Sequence, residues 1–212
     1  MSEITADHNK YIQRCLELAV LGKGFVSPNP MVGSVIVHLN QIIGEGYHQR
    51  YGEAHAEVNA VDDVIQNCNN DAIMAAELFK QSTIYVSLEP CAHFGNTPPC
   101  ADLLIKHKIP KVVIGCRDPF ELVNGKGIEK LVNAGIEVII GILQDKCLEL
   151  KKRFFTRVQK QRPYIILKWA QTKDEYFAPL SDERRQFWIT CEESRKLVHQ
   201  WRSEEDAAVS KD

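Results

Sequence analysis

No stretch of this sequence approaches the ~20 consecutive apolar residues that a membrane-spanning helix needs. The N-terminus, MSEITADHNK, has no positive start followed by an apolar run, so no secretory signal is expected. Neither sign of charge dominates: Lys+Arg is 26 against Asp+Glu 28. No overall positive field is therefore expected to hold the chain on nucleic acid or on an anionic membrane. Proline (9) and glycine (12) are sparse, and there is no internal repeat or low-complexity stretch, which argues against a disordered or collagen-like chain. Cysteine is present without the even count and regular spacing of a disulfide framework; the 7 residues stand at 15, 68, 91, 100, 116, 147 and 191. With no export signal expected, that pattern points to reduced thiols, a cytoplasmic location and metal ligation.

What is present is an ordinary apolar and charged balance, 44% and 25%, in 212 residues. That length holds one domain of roughly 150 residues plus a remainder, not two complete large domains. Asp7 is expected to cap a helix whose apolar positions Ile12, Cys15, Leu16 and Ala19 recur at helical spacing, with Gly22 to stop it. MVGSVIVH and QIIGEGYH around Leu39-Asn40 predict a hairpin. A helix over His55 to Ile65 follows, then a polar, weakly patterned stretch over 66–81 and a buried strand over Thr83 to Leu88. Beyond a loop rich in Pro, Gly and Cys, Pro98-Pro99 suits the first turn of a helix through Leu103, Leu104 and Ile105. KVVIGC predicts a strand, Ile128 to Gly135 a helix, IEVIIG a strand, and Leu143 to Phe154 a long helix. This alternation predicts a three-layer α/β/α fold on a mixed, mostly parallel sheet.

KKRFFTRVQKQR then changes the texture, and Pro163 opens a strand-like YIILKWA. Residues 1–150 are expected to form one domain, 151–162 a basic linker or helix end, and 163–212 an incomplete segment with one strand and one helix near Cys191 to Arg202. Fifty residues are too few to bury a core alone.

The chemistry concentrates in three short stretches. His55-Ala56-Glu57 opens a helix, Glu89-Pro90-Cys91 follows a strand, and Cys100 stands at the next helix start. One imidazole and two thiolates suit a zinc ion with a fourth position left for water, and an open position implies catalysis. Helix N-termini favour the thiolate form. Glu57, two residues after His55, is placed to act as general acid and base without ligating the metal. A lone His or Cys is most often structural, but H-x-E with P-C-x-x-C is the known signature of zinc nucleobase deaminases. This chain departs from it at one point: AHFGNTPP separates the two cysteines where the short form has two residues. His93, inside that loop, suits substrate contact better than a fourth ligand role.

These residues, with NPMVGSVIV, GEGYHQRYGEAHAEVNA, VSLEPCAHFGNTPPCADLLI, the RDP at 117–119, PYIILKWA and WIT, give a sequence that resembles the bifunctional riboflavin biosynthesis deaminase/reductase family, within the cytidine deaminase-like superfamily. The likeness covers nearly the whole chain, and the long inter-cysteine loop is that family's variant. It implies zinc-dependent deamination of 2,5-diamino-6-ribosylamino-4(3H)-pyrimidinone 5′-phosphate, with zinc on His55, Cys91 and Cys100 and Glu57 as proton shuttle. It also implies substrate contacts from Asn29, His48 and His93, although Asn29 could merely satisfy a loop and His48 merely end a strand. Where the family usually carries Lys or Arg, this chain has Asn96, so either phosphate binding is weaker or another cation takes over.

The resemblance continues into the opening of an NADPH-dependent reductase. WAQTKDEYFA matches its first strand and turn and WITCEESRKLVHQWRSEEDA its first helix, with Trp188 on the cofactor side and Arg202 on the substrate side. Lys173-Asp174-Glu175 lacks the glycine that the family has at this turn. No functional cofactor-binding residue is expected for the reductase; NADPH is a cofactor only if a complete reductase domain is supplied. The expected partner is a small pyrimidine ribose phosphate, with no nucleic acid or membrane, and a homo-oligomer is left open. Two other readings stay open: an inactive truncated relic or interaction module, and a deaminase of bases in nucleic acid.

Overall fold

The computed structural model describes residues 2–94, 98–121, 123–177 and 188–207 and divides into two compact units, Met1–Pro163 and Tyr164–Asp212. The first unit is built on five strands: β1 (Gly33–His38), β2 (Gln41–Tyr47), β3 (Thr83–Val86), β4 (Lys111–Ile114) and β5 (Glu137–Ile140). They form one mixed sheet in the order β2-β1-β3-β4-β5. β1 is antiparallel to both of its neighbours, while β3, β4 and β5 are mutually parallel, so β1 alone runs against the other four. Leu39 and Asn40, at φ 47 and 62, form the two-residue turn of the β1–β2 hairpin.

The two-residue period of the strands sorts the core into two layers. Ile36, Ile84, Val86, Val112 and Ile114 face one side, where they pack with α2 (Ala56–Asn67), α3 (Ala72–Phe79), α4 (Cys100–Lys106) and α5 (Lys126–Asn133). Val35, Val37, Tyr85 and Val113 face the other, against α1 (Ser2–Val20) and α6 (Gln144–Leu150). The result is the expected three-layer α/β/α arrangement. One close contact fixes α2 on the sheet: a Cβ at Gly46 would lie 2.5 Å from the Ala56 carbonyl oxygen. Only a residue without a side chain lets the helix start descend onto β2 at this point.

Four local expectations change. α1 begins upstream of Asp7, whose backbone lies inside it, because Ser2–Asp7 contains no glycine or proline to interrupt it. The stretch over 66–81 contains α3, whose first turn is capped by the Asp71 side chain accepting from Ile73 N (2.9 Å) and Met74 N (3.0 Å). Its apolar pattern was weak because Ile73 and Met74 are exposed and only Ala75 and Phe79 are buried. The long helix expected from Leu143 to Phe154 breaks at Lys151, between α6 and α7 (Lys152–Lys160). There the buried Lys151 ammonium reaches the Cys147 carbonyl (3.5 Å) that its own amide would otherwise take, and the amide turns to Leu148 O instead (3.1 Å). Residues 151–162 thus belong to the first unit.

The fourth change lies in the second unit. Residues 164–177 include no strand, and Ile165, Leu167 and Trp169 are left exposed. Extended backbone becomes a strand only by exchanging hydrogen bonds with a neighbour, and no described strand pairs with this segment. Thr172 to Tyr176 forms a turn, closed by Thr172 N donating to Tyr176 O (2.9 Å), with Glu175 at φ 68. The left-handed conformation persists although the glycine is missing. α8 (Glu192–Ser203) follows Cys191 as N-cap, and the Arg195 guanidinium lies 4.4 Å from the Trp188 ring centroid.

Candidate active site

His55 is the N-cap residue of α2, in extended conformation (φ −74, ψ 166), and its side chain makes no capping hydrogen bond. The imidazole is therefore available for other work. Cys91 lies in the loop beyond β3, and Cys100 is the first residue of α4. The three meet: His55 Nδ1 is 3.6 Å from Cys91 Sγ and 3.3 Å from Cys100 Sγ, and all three donor atoms lie within 4.8 Å of one another. Bond lengths of about 2.1 Å to nitrogen and 2.3 Å to sulfur in a tetrahedron require N···S separations of about 3.6 Å. The donors fit a zinc ion in both chemistry and spacing.

The two thiols differ. The Cys100 backbone amide donates to Cys91 Sγ (3.2 Å). A hydrogen bond from the Cys100 thiol, aided by His55, pulls Cys91 down to about 4, while the same bond and burial push Cys100 upward. His55 is raised, chiefly by its hydrogen bond to Cys91. Glu57, in the first turn of α2, is only 4% exposed. Burial raises its carboxyl to about 7, against the opposing pull of His55.

A cavity of about 350 Å³ opens on this centre, within the size range of small-molecule pockets. Asn29, His48 and His93 all line it, as do His55, Glu57 and Cys91. His48 has both ring nitrogens engaged: Nδ1 lies 3.0 Å from the Ala54 carbonyl and Nε2 3.1 Å from Asn29 Nδ2. A carbonyl can only accept, so Nδ1 carries the proton and Nε2 accepts from Asn29. Burial lowers the His48 pKa, in keeping with a neutral ring. Its ring meets that of His55 edge-on, with centroids 5.4 Å apart. His93 differs, for its buried Nδ1 has no hydrogen-bond partner among the described residues. Asn96 lies outside the described residues.

Residues 5–116 match the family model described as the cytidine and deoxycytidylate deaminase zinc-binding region. The chain belongs to this deaminase family. It is 46% identical over 199 residues to the riboflavin biosynthesis protein RibD of Aquifex aeolicus, covering 94% of this chain and 52% of that one. To RibD of Escherichia coli it is 41% identical over 200 residues, 94% of this chain and 51% of the other. Among solved structures, a diaminohydroxyphosphoribosylaminopyrimidine deaminase/5-amino-6-(5-phosphoribosylamino)uracil reductase from Thermotoga maritima is similar at TM-score 0.83 and 40% identity, over 94% of this chain and 54% of that one. The chain spans about half the length of the curated relatives it matches. Among the described residues, no helix is long and apolar enough to cross a membrane.

Within this deaminase frame the structure adds residues that the sequence did not single out. Glu89, two positions before Cys91, is buried and its carboxylate accepts four backbone N–H groups: Asp118 (3.3 Å), Gly125 (3.1 Å), Gly127 (3.1 Å) and Ile128 (3.3 Å). Three of these belong to the start of α5 or its N-cap. A negative charge there meets the positive end of the helix. Gly127 permits the approach, since any Cβ would strike the Pro90 carbonyl. Glu89 therefore ties the Cys91 loop to the 117–128 segment. Asp118 and Phe120 from that segment, and Phe154 and Arg157 from α7, complete one side of the pocket. EPC and RDP were visible as motifs, but an acceptor of four main-chain donors from 29 to 39 residues away leaves no local signal.

Proposed function

We propose that the first unit deaminates 2,5-diamino-6-ribosylamino-4(3H)-pyrimidinone 5′-phosphate to 5-amino-6-(5-phosphoribosylamino)uracil, a step of riboflavin biosynthesis. The reading is carried by one observation: His55, Cys91 and the buried Glu57 line one cavity, and Cys100 Sγ lies 3.3 Å from His55 Nδ1 behind them. The names of the RibD relatives and of the Thermotoga protein support the choice of substrate.

His55, Cys91 and Cys100 hold the zinc, which supplies a Lewis acid that makes water nucleophilic at neutral pH. Glu57 takes a proton as the new C–O bond forms at the ring carbon bearing the 2-amino group, and delivers it to that nitrogen. The C–N bond breaks, ammonia leaves, and the carbon keeps oxygen. Neutral His48 orients Asn29, which presents its amide to the substrate, and His93 offers an Nδ1 that has no partner among the described residues. Zinc analysis with an ammonia-release assay on the purified chain tests this. One zinc per chain with turnover is expected, whereas a zinc-loaded, folded chain that releases no ammonia from this substrate overturns the reading and favours a relic.

Single-stranded RNA binding that weakens steeply with salt would instead favour a base deaminase of nucleic acid. NADPH takes part only where a complete reductase domain is supplied. A cytoplasmic setting belongs to the same proposal and rests on the odd, irregular cysteine pattern.

A further inference from the structure

We propose that Arg157, on α7, receives the 5′-phosphate of the substrate; this rests on the deaminase reading above and names the group that distinguishes a nucleotide from a nucleoside in the same pocket. Among the described residues lining the cavity, Arg157 is the one lysine or arginine. The other formal charges on the wall are carboxylates, those of Glu53, Glu57, Glu89 and Asp118. A phosphate dianion is repelled along most of this surface and attracted at one place.

A line of contacts runs from the metal donors outward: the His55 ring touches His48, and His48 Nε2 accepts from Asn29. Asn29 follows Pro28 in the chain, and the Pro28 carbonyl receives Arg157 Nη2 at 3.0 Å. The guanidinium also lies 5.6 Å from the centroid of Phe154, another cavity residue. Held by one hydrogen bond and one ring face, Arg157 is oriented but keeps further N–H donors for a second partner. Arg157 stands at the opposite end of this chain of contacts from the zinc donors, which sets a phosphate there apart from a ring over the metal. An arginine fork suits phosphate oxygens better than a lone amide does.

The test uses the zinc-loaded full chain and needs no turnover. Ribose 5-phosphate and ribose are titrated separately by calorimetry into the wild type, Arg157→Gln and Arg157→Lys. The wild type is expected to prefer ribose 5-phosphate by about tenfold or more, the Lys variant to keep part of that preference, and the Gln variant to lose it. Because Arg157 also anchors Pro28, the unaltered chain supplies a second measurement. Phenylglyoxal modification of Arg157, followed by peptide mass spectrometry, is expected to slow with ribose 5-phosphate and not with ribose. No preference for ribose 5-phosphate in the wild type, equal preference in Arg157→Gln, or no protection overturns the proposal. Phosphate preference without ammonia release would instead leave Arg157 standing and sink the deaminase assignment.

Discussion

The two units treat the same kind of sequence signal in opposite ways. In the first, KVVI becomes β4, buried between β3 and β5 with Val112, Val113 and Ile114 fully covered. In the second, the equally strand-like YIILKWA forms no strand among the described residues, with Leu167 78% and Trp169 61% exposed. β-propensity is a statement about fitting a pleated, half-buried surface. Among the described residues no neighbouring strand completes that surface for this segment. The His55–Cys91–Cys100 cluster, the buried Glu57 and the cavity all belong to the unit whose strands found partners.

The sharpest way to break this division of labour is Glu57→Gln. Ammonia release should fall about 10²–10⁴-fold, the usual contribution of a general acid–base group, while one zinc per chain is retained. Retained turnover would remove Glu57 from the chemistry. Zinc removal comes next. Chymotrypsin should cut the exposed Tyr164 to Phe177 segment first whether or not zinc is present, but cut within the first unit faster after chelation. Equal protection of the two units would erase the contrast.

Glu89→Gln sharpens the comparison within the first unit. It replaces a charged acceptor of four amides by a group with one acceptor oxygen, and should cost about 1–3 kcal/mol. Thermal melting and zinc dissociation rates read the loss, and an unchanged zinc off-rate would show that the Cys91 loop does not depend on this anchor.

Asp118 gives the pH signature. Burial raises its carboxyl to about 6 from the ordinary 3.8, so the folded state takes up this proton before the unfolded state does. Its contribution to stability therefore grows as pH falls through 6 and levels off below 3.8. Asp118→Asn should lack that gain, so the wild type should compare better with the variant at pH 4.5 than at pH 7.5; parallel melting curves across that range would contradict it. The smallest effect belongs to the second unit. Glu175→Gly relieves a left-handed residue and should stabilise the 172–176 turn by about 1 kcal/mol, seen as slower amide exchange there and no change in ammonia release.

Much of the fold was legible because its elements carry local signals: the hairpin turn at Leu39-Asn40, the alternation of β and α, and the motifs around His55, Cys91 and Cys100. What escaped was decided by distant partners or by their lack. α3 hides because most of its apolar residues are not buried. The break at Lys151 depends on a buried amine reaching Ser87 O (3.0 Å) and Cys147 O. The pairing of His48 with Asn29, which fixes the tautomer, joins residues 19 apart. Arg157 sits 129 residues from the carbonyl that orients it.

The Glu89 anchor bears on how such a protein can change over time. One carboxylate serves as common fastening for a metal-ligand loop, a pocket wall and a helix start, so none of these can lengthen or shift alone. Insertions between 117 and 125 should be as poorly tolerated as insertions beside Cys91, and room for diversification is left on α7, whose residues make none of the four Glu89 hydrogen bonds.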